Sequence, residues 1–217
     1  KERELLMETH LKEAQLKYLQ AQINPHFLFN CLNAGAQLAM LEDAERTGVF
    51  LEKMADFFRY NVRKMEDDAL LWEEVDAVDN YIYILNVRFA GDINYEKDVD
   101  EGIGNFRIPS MILQPLVENA LYHGIKNKRG KGMIRIEGEL DGEDCILLIT
   151  DNGKGMTPER LEQVRKGIRN RKARETDIYG LYNVNERIRL NFGENYGITI
   201  TSTYGEGTCV TVRLPQY

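Results

Sequence analysis

The chain is poor in cysteine, proline and histidine, and it has no long apolar run. Its three cysteines, Cys31, Cys145 and Cys209, stand without metal-ligand spacing, and an odd number leaves no fully paired disulfide framework. Cys145 lies in an apolar stretch and Cys209 in an alternating one, so both read as small buried hydrophobes of a reducing compartment. No run approaches the roughly 18 apolar residues that a membrane helix needs, so no span is expected within the chain. Positive charge is not in excess either: 28 Lys and Arg against 35 Asp and Glu give a net charge of −7, which argues against a nucleic-acid surface. With only His10, His26 and His123, any histidine chemistry has few candidates.

What is present is a 217-residue chain, 43% hydrophobic and 29% charged, enough for one or two compact domains. Residues 1 to about 40 are rich in helix formers, with Leu16, Leu19 and Ile23 spaced as a helix seam. Pro25 costs that helix a backbone bond, so a kink is expected just before His26. Beyond it Phe27, Cys31, Ala34, Leu38 and Leu41 continue an apolar face in a shifted frame. A second helix is expected from about Asp43 to Met65, carrying Phe50, Met54 and Phe57 beside Leu51, Phe58 and Val62. That face is wider than one partner helix needs, and two such hairpins pair into a four-helix bundle, so a homodimer is expected.

From Leu70 the pattern changes. Helices are expected from about Glu73 to Phe89 and from Pro109-Ser110 through Glu118, Asn119 and His123, with a strand from Asn94 to Val99 before the second. Met133 to Leu140 and Cys145 to Thr150 read as a hairpin around Asp141-Gly142, and Gly197 to Thr203 pairs with Thr208 to Leu214, giving a sheet with helices on one face. Two Gly-rich turns stand out, Asp151-Asn152-Gly153-Lys154-Gly155-Met156 and Gly180-Leu181-Tyr182-Asn183. The first follows an apolar strand, lets the backbone approach a flat ligand and leaves Asp151 to accept from an exocyclic amine such as that of adenine; taken alone it is equally an ordinary hairpin turn. Gly180 reads as the opening of a helix whose N–H groups face phosphate. Between Met156 and Tyr179 lies a basic polar stretch with Arg165, Lys166, Arg169, Arg171, Lys172 and Arg174, which reads either as a solvated helix and loop or as a lid whose cations meet phosphate.

The order of these three elements, Glu118-Asn119 on a helix, the Asp151 turn and the Gly180 turn, resembles the ATP-binding domain of the superfamily of gyrase, Hsp90, histidine kinases and MutL. A second motif, Gln22-Ile23-Asn24-Pro25-His26-Phe27-Leu28-Phe29-Asn30, is by itself as compatible with core packing as with a presented histidine. Together with Phe58-Arg59-Tyr60, Gln114 to Ala120 and Arg187 to Gly193, it makes almost the whole chain similar to the LytS/YesM class of two-component sensor histidine kinases.

That resemblance implies an α+β architecture. Residues 1–68 would be a dimerisation and histidine phosphotransfer hairpin forming a dimeric four-helix bundle, and 69–217 an α/β-sandwich ATP-binding domain of the Bergerat type with a mixed sheet. It implies His26 as phosphoacceptor for the ATP γ-phosphoryl group, transfer onward to an aspartate of a response regulator receiver domain, and Mg²⁺ held by Asn119. Neutral imidazole offers a lone pair to phosphorus, and phosphoryl transfer needs positioning and charge neutralisation more than covalent help. Nucleotide contacts are expected from Asn119, His123, Asp151, Gly153, Gly155, Met156, Gly180, Leu181, Asn183 and Thr208. Glu118 has three readings, as general base, holder of a metal-bound water or surface partner of a lysine; His123 has two, phosphate contact or helix-end cap. Phe27 stands where the commoner histidine kinase pattern has an acidic residue, so the group that polarises His26 is open; Asn30, one helical turn on, is placed to bond the ring or to orient water. The first residue is Lys, and the expectation is the cytoplasmic part of a membrane protein whose sensor lies upstream. Two other readings are an ATP-binding dimeric signalling module without phosphotransfer, and an ATPase clamp or serine kinase on the same nucleotide fold.

Overall fold

The computed structural model describes residues 25–63, 68–89, 91–125, 131–169 and 176–216, and the chain divides into two compact units, Lys1–Val62 and Arg63–Tyr217. His10, the seam at Leu16, Leu19 and Ile23, and the kink before His26 fall outside the described residues.

The first unit is a helical hairpin of α1 (Pro25–Leu41) and α2 (Glu45–Arg63). The link turns at Asp43, a short polar residue in the left-handed region at φ 55°. Small residues let the helices approach closely: Ala36, Ala39 and Ala55 are buried, and a methyl group on Gly48 would come within 2.7 Å of Met40 Cε. Phe27, Cys31, Ala34, Leu38 and Leu41 are all exposed, Phe27 at 67% and Leu41 at 83%, so among the described residues the apolar face read from the sequence is left largely uncovered.

The second unit begins with β1 (Asp68–Leu70) and α3 (Leu71–Arg88), whose first turn is capped by the Glu73 carboxylate accepting from Leu70 N–H at 2.9 Å. There follow β2 (Ile93–Val99), β3 (Arg107–Pro109), α4 (Leu113–Asn119), a π-helical turn (Ala120–Ile125), the β4 and β5 hairpin (Gly132–Asp141, Asp144–Asp151), α5 (Pro158–Arg169), α6 (Thr176–Phe192), β6 (Gly197–Thr203) and β7 (Gly207–Pro215). Five strands form one sheet in the order β2-β4-β5-β7-β6, with β2 parallel to β4 and the other neighbours antiparallel. Register lines the core side in rows: Ile136, Ile149, Val210 and Ile200 stand abreast, as do Gly138, Leu147 and Val212. The alternate residues, Thr150 and Cys209 among them, face the more open side. Cys145 is buried, which pushes its thiol up to about 12 and leaves it inert. Cys209 is only half-buried, against expectation, because an alternating strand exposes one of its faces.

Two helix starts differ from the sequence reading. The helix carrying Asn119 opens at Leu113 and not at Pro109-Ser110, because Arg107–Pro109 is taken into an antiparallel pair with β1 and Met111 turns left-handed at φ 60°. Its start is held from another element: the buried Glu74 carboxylate accepts N–H bonds from Met111 (2.6 Å), Ile112 (2.9 Å) and Leu113 (2.9 Å). Gly180 does not open α6 but sits in its fifth position, where its N–H belongs to the helical ladder and is withheld from a ligand.

Candidate functional site

A cavity of about 350 Å³ lies at the end of β5, within the size range of small-molecule sites. Sheet register assembles its floor: Asp151, the last residue of β5, is paired directly with Thr208 of β7, so residues 57 positions apart in sequence stand side by side. Both are buried. Asn119, the last residue of α4, and His123 and Gly124 of the π-helical turn form a wall. Single-turn π insertions within helices recur at functional sites, since the widened turn re-aims the residues that follow.

The Asp151 turn is held in place by its own bonds. Asp151 Oδ1 accepts from Gly153 N–H at 2.7 Å, Lys154 N–H reaches Gly124 O at 3.1 Å, and Met156 N–H donates to Ser202 Oγ at 2.9 Å. Both glycines are required by close backbone contacts, whatever they also offer a ligand. A Cβ on Gly153 would lie 2.3 Å from the Gly124 backbone, and one on Gly155, at φ 62°, would fall 1.9 Å from Thr203 O. Gly124 is needed for a related reason, as its Cβ would meet Asp151 Oδ1 at 2.5 Å. Gly124→Ala is therefore expected to displace the carboxylate, weaken nucleotide binding about tenfold and lower the unfolding midpoint, since the buried bond to Gly153 N–H is strained; calorimetric titration beside a thermal melt checks both.

Of the residues expected to touch nucleotide, the cavity gathers Asn119, His123, Asp151, Gly155, Met156, Leu181 and Thr208. Gly153, Gly180 and Asn183 are not on its wall; Asn183 is exposed on α6. His123 lines the cavity from within the last turn of the π-helical segment, and both readings of it stand. Lys154, Thr157, Arg160 and Tyr204 line the cavity without having been singled out. Among the described residues, the Lys and Arg side chains at this cavity are Lys154 and Arg160. Arg165 and Arg169, considered as lid cations, line a different cavity, while 170–175 lie outside the described residues. Lys154 sits inside the Gly-rich turn, and that position was the available signal; Arg160 carried none.

Glu118 is half-buried beside Asn119 of the cavity wall and accepts from Gln114 Nε2 at 2.9 Å; among the described residues no lysine is paired with it. Burial raises the pKa of the neighbouring Tyr81 phenol, and the charge of Glu118 and the nearby Tyr122 push it the same way, so Tyr81 keeps its proton.

In the helical hairpin, His26 is exposed on the first turn of α1. Asn30 Nδ2 lies 3.3 Å from its Nδ1. A carboxamide turned end for end presents its oxygen instead, which accepts Nδ1–H and leaves the Nε2 lone pair outward. Phe27, which follows His26, is exposed in the single protomer.

Comparison with known proteins places both units. Residues 14–93 match the family described as histidine kinase, and residues 106–217 match the family described as histidine kinase-, DNA gyrase B-, and HSP90-like ATPase. Sensor histidine kinase YesM of Bacillus subtilis is 34% identical over 207 residues, covering 94% of this chain and 34% of YesM. Sensor protein LytS of the same organism is 32% identical over 207 residues, with 95% and 34% covered. Sensor histidine kinase YpdA of Escherichia coli is 35% identical over 188 residues, with 86% and 32% covered. The chain spans about a third of the length of these relatives. The histidine kinase domain of the Erythrobacter litoralis EL346 blue-light activated histidine kinase shares the fold at a TM-score of 0.50 and 15% identity, over 88% of this chain and 96% of that one. The catalytic domain of histidine kinase ThkA does so at a TM-score of 0.50 and 18% identity, over 69% and 96%. The chain belongs to the histidine kinase-, DNA gyrase B- and HSP90-like ATPase family, within the LytS/YesM class of two-component sensor histidine kinases.

Proposed function

We propose that this chain is the catalytic core of a sensor histidine kinase that binds ATP at the Asp151 cavity and transfers its γ-phosphoryl group to His26. The observation that carries the reading is the convergence of Asp151, Thr208 and Asn119 on one cavity. A buried carboxylate on the floor accepts the adenine exocyclic N–H, and Thr208 beside it adds a hydroxyl to the base edge. Lys154 and Arg160 supply positive charge for the phosphates. The Nε2 lone pair of His26 forms the N–P bond as the bond from the γ-phosphorus to its bridging oxygen breaks, and ADP carries away the electron pair. The imidazole proton stays on Nδ1, held by the Asn30 oxygen. Glu118, fixed by Gln114, is in reach of the role of a base or of a water holder at the edge of the site.

Among the described residues no group of three or more His, Cys, Asp or Glu side chains is arranged to hold a metal. Asn119, which lines the cavity, fits Mg²⁺ by chemistry, since its carboxamide oxygen is a hard donor, and it would hold the ion beside the phosphates. When bound, the ion neutralises charge on the phosphates.

The open apolar face of α1 supports a homodimer through a four-helix bundle, in which 1–68 dimerises and presents His26 while 69–217 binds nucleotide. A response regulator aspartate is the proposed acceptor, and an upstream sensor in the full-length chain the proposed input. No described helix is long and apolar enough to cross a membrane, and the proposed setting is the cytoplasmic side of a membrane receptor.

The Asp151 assignment is tested by titrating ATP and GTP into the wild type and Asp151→Asn. Guanine presents a carbonyl where adenine presents an amine, so the wild type is expected to prefer ATP, and the variant to lose about 10- to 100-fold in ATP affinity and most of its discrimination. Equal ATP affinity in the two proteins would overturn the assignment.

A further inference from the structure

A second cavity, of about 400 Å³, lies between α5, α6 and the edge strand β6, apart from the nucleotide site. Its charged lining is Arg165, Arg169, Arg189 and Glu162, and Glu162 is engaged by Lys166 at 3.6 Å. Asn185 closes the bottom and is 99% buried. Its Oδ1 accepts the Ile198 N–H at 3.0 Å, and since an N–H only donates, the carboxamide orientation is fixed with Nδ2 as its free end. That Nδ2 and the nearby Arg189 Nε are both buried donors with no acceptor among the described residues. Arg189 already spends Nη1 on Glu194 at 3.3 Å, and Arg165 spends Nε and Nη2 on Ile200 O at 3.1 and 2.6 Å. The latter bonds also explain the cleft: with Asn185, Arg165 blunts the unpaired edge of β6, leaving a recess where a sixth strand would lie.

Buried donors without acceptors are costly and uncommon, and here both belong to side chains lining a recess that carries three guanidiniums against one carboxylate. We propose that this recess is an oxyanion-binding site, taking a phosphate-type group that accepts from Asn185 Nδ2 and Arg189 Nε while Arg169, which has no partner among the described residues, closes over it from the surface. A tetrahedral oxyanion has enough oxygens for all three donors at once, whereas a halide ion does not. The site is independent of the nucleotide cavity, and its occupancy would stiffen the contact of α5 and α6 with β6.

The test uses the full chain labelled with ¹⁵N and inorganic phosphate as probe. The Asn185 side-chain amide and Arg189 Nε–H resonances are expected to shift and saturate at millimolar phosphate. Arg169→Gln, a change at an exposed position that leaves the fold intact, is expected to weaken this about fivefold. Sodium chloride at equal ionic strength is expected to leave both resonances in place. Shifts confined to Gly153 and Asn119 would mean that phosphate enters only the nucleotide cavity, and equal shifts with chloride would mean screening; either result, or no shift, overturns the proposal.

Discussion

Glu74→Ala is expected to destabilise the sheet-bearing unit by about 3–5 kcal/mol, comparable to breaking a buried charged pair. The carboxylate takes three consecutive N–H groups at the start of α4, and truncation leaves those of Ile112 and Leu113 unpaired in the interior and that of Met111 part-buried. The left-handed Met111 adds strain that those bonds hold in check. Glu74→Gln keeps one accepting oxygen but turns an NH₂ group toward the remaining donors, so it is expected to recover less than half of the loss. The single tryptophan, Trp72, lies two residues before Glu74 on the same helix and reports unfolding of this unit by fluorescence in urea. Because α4 ends in Asn119, the surviving folded fraction of the alanine variant is also expected to bind ATP more weakly. A loss below about 1 kcal/mol would show that water satisfies those amides and that Glu74 does not set the helix.

His26→Gln is the second large effect. It is expected to reduce phosphorylation of the chain at least about a hundredfold while leaving ATP affinity unchanged, since a carboxamide can keep a bond to Asn30 but has no nucleophilic nitrogen. His26 is exposed, and glutamine is a better helix former, so no loss of stability accompanies the change. Asn30→Ala is expected to retain activity at a level reduced about tenfold, as a residue that orients the ring without itself reacting. Equal losses in both variants would assign Asn30 more than positioning.

How much of this was legible beforehand follows from the range of each interaction. The sheet strands were readable because alternation and the Asp141-Gly142 turn are local signals, and their observed bounds, Gly132–Asp141 and Asp144–Asp151, differ from the reading by a residue or so. The convergence of Asn119, Asp151 and Thr208 was accessible only through the family resemblance, since no spacing rule predicts that register pairs Asp151 with Thr208. Gly180 misled because glycine at a helix start and glycine inside a helix look alike in sequence when the preceding polar stretch hides the boundary; Thr176 to Tyr179 proved to be helix already. Glu74 was missed as the anchor of α4 for a different reason: the bond spans 37 to 39 residues, and a buried carboxylate on a helix reads as a surface charge until the loop folds onto it. The glycines of the Asp151 turn were identified, but their reason was not, because the backbones that Gly153 and Gly155 press against come from Gly124 and Thr203.

The most direct measurement is incubation of the wild type, His26→Gln and Asn119→Ala with γ-labelled ATP and Mg²⁺, followed by acid and alkali treatment of the labelled chain. The account predicts label on the wild type that is lost in acid and survives alkali, as a phosphoramidate does, and no label on either variant. Acid-stable label, or label of any kind persisting on His26→Gln, would contradict it.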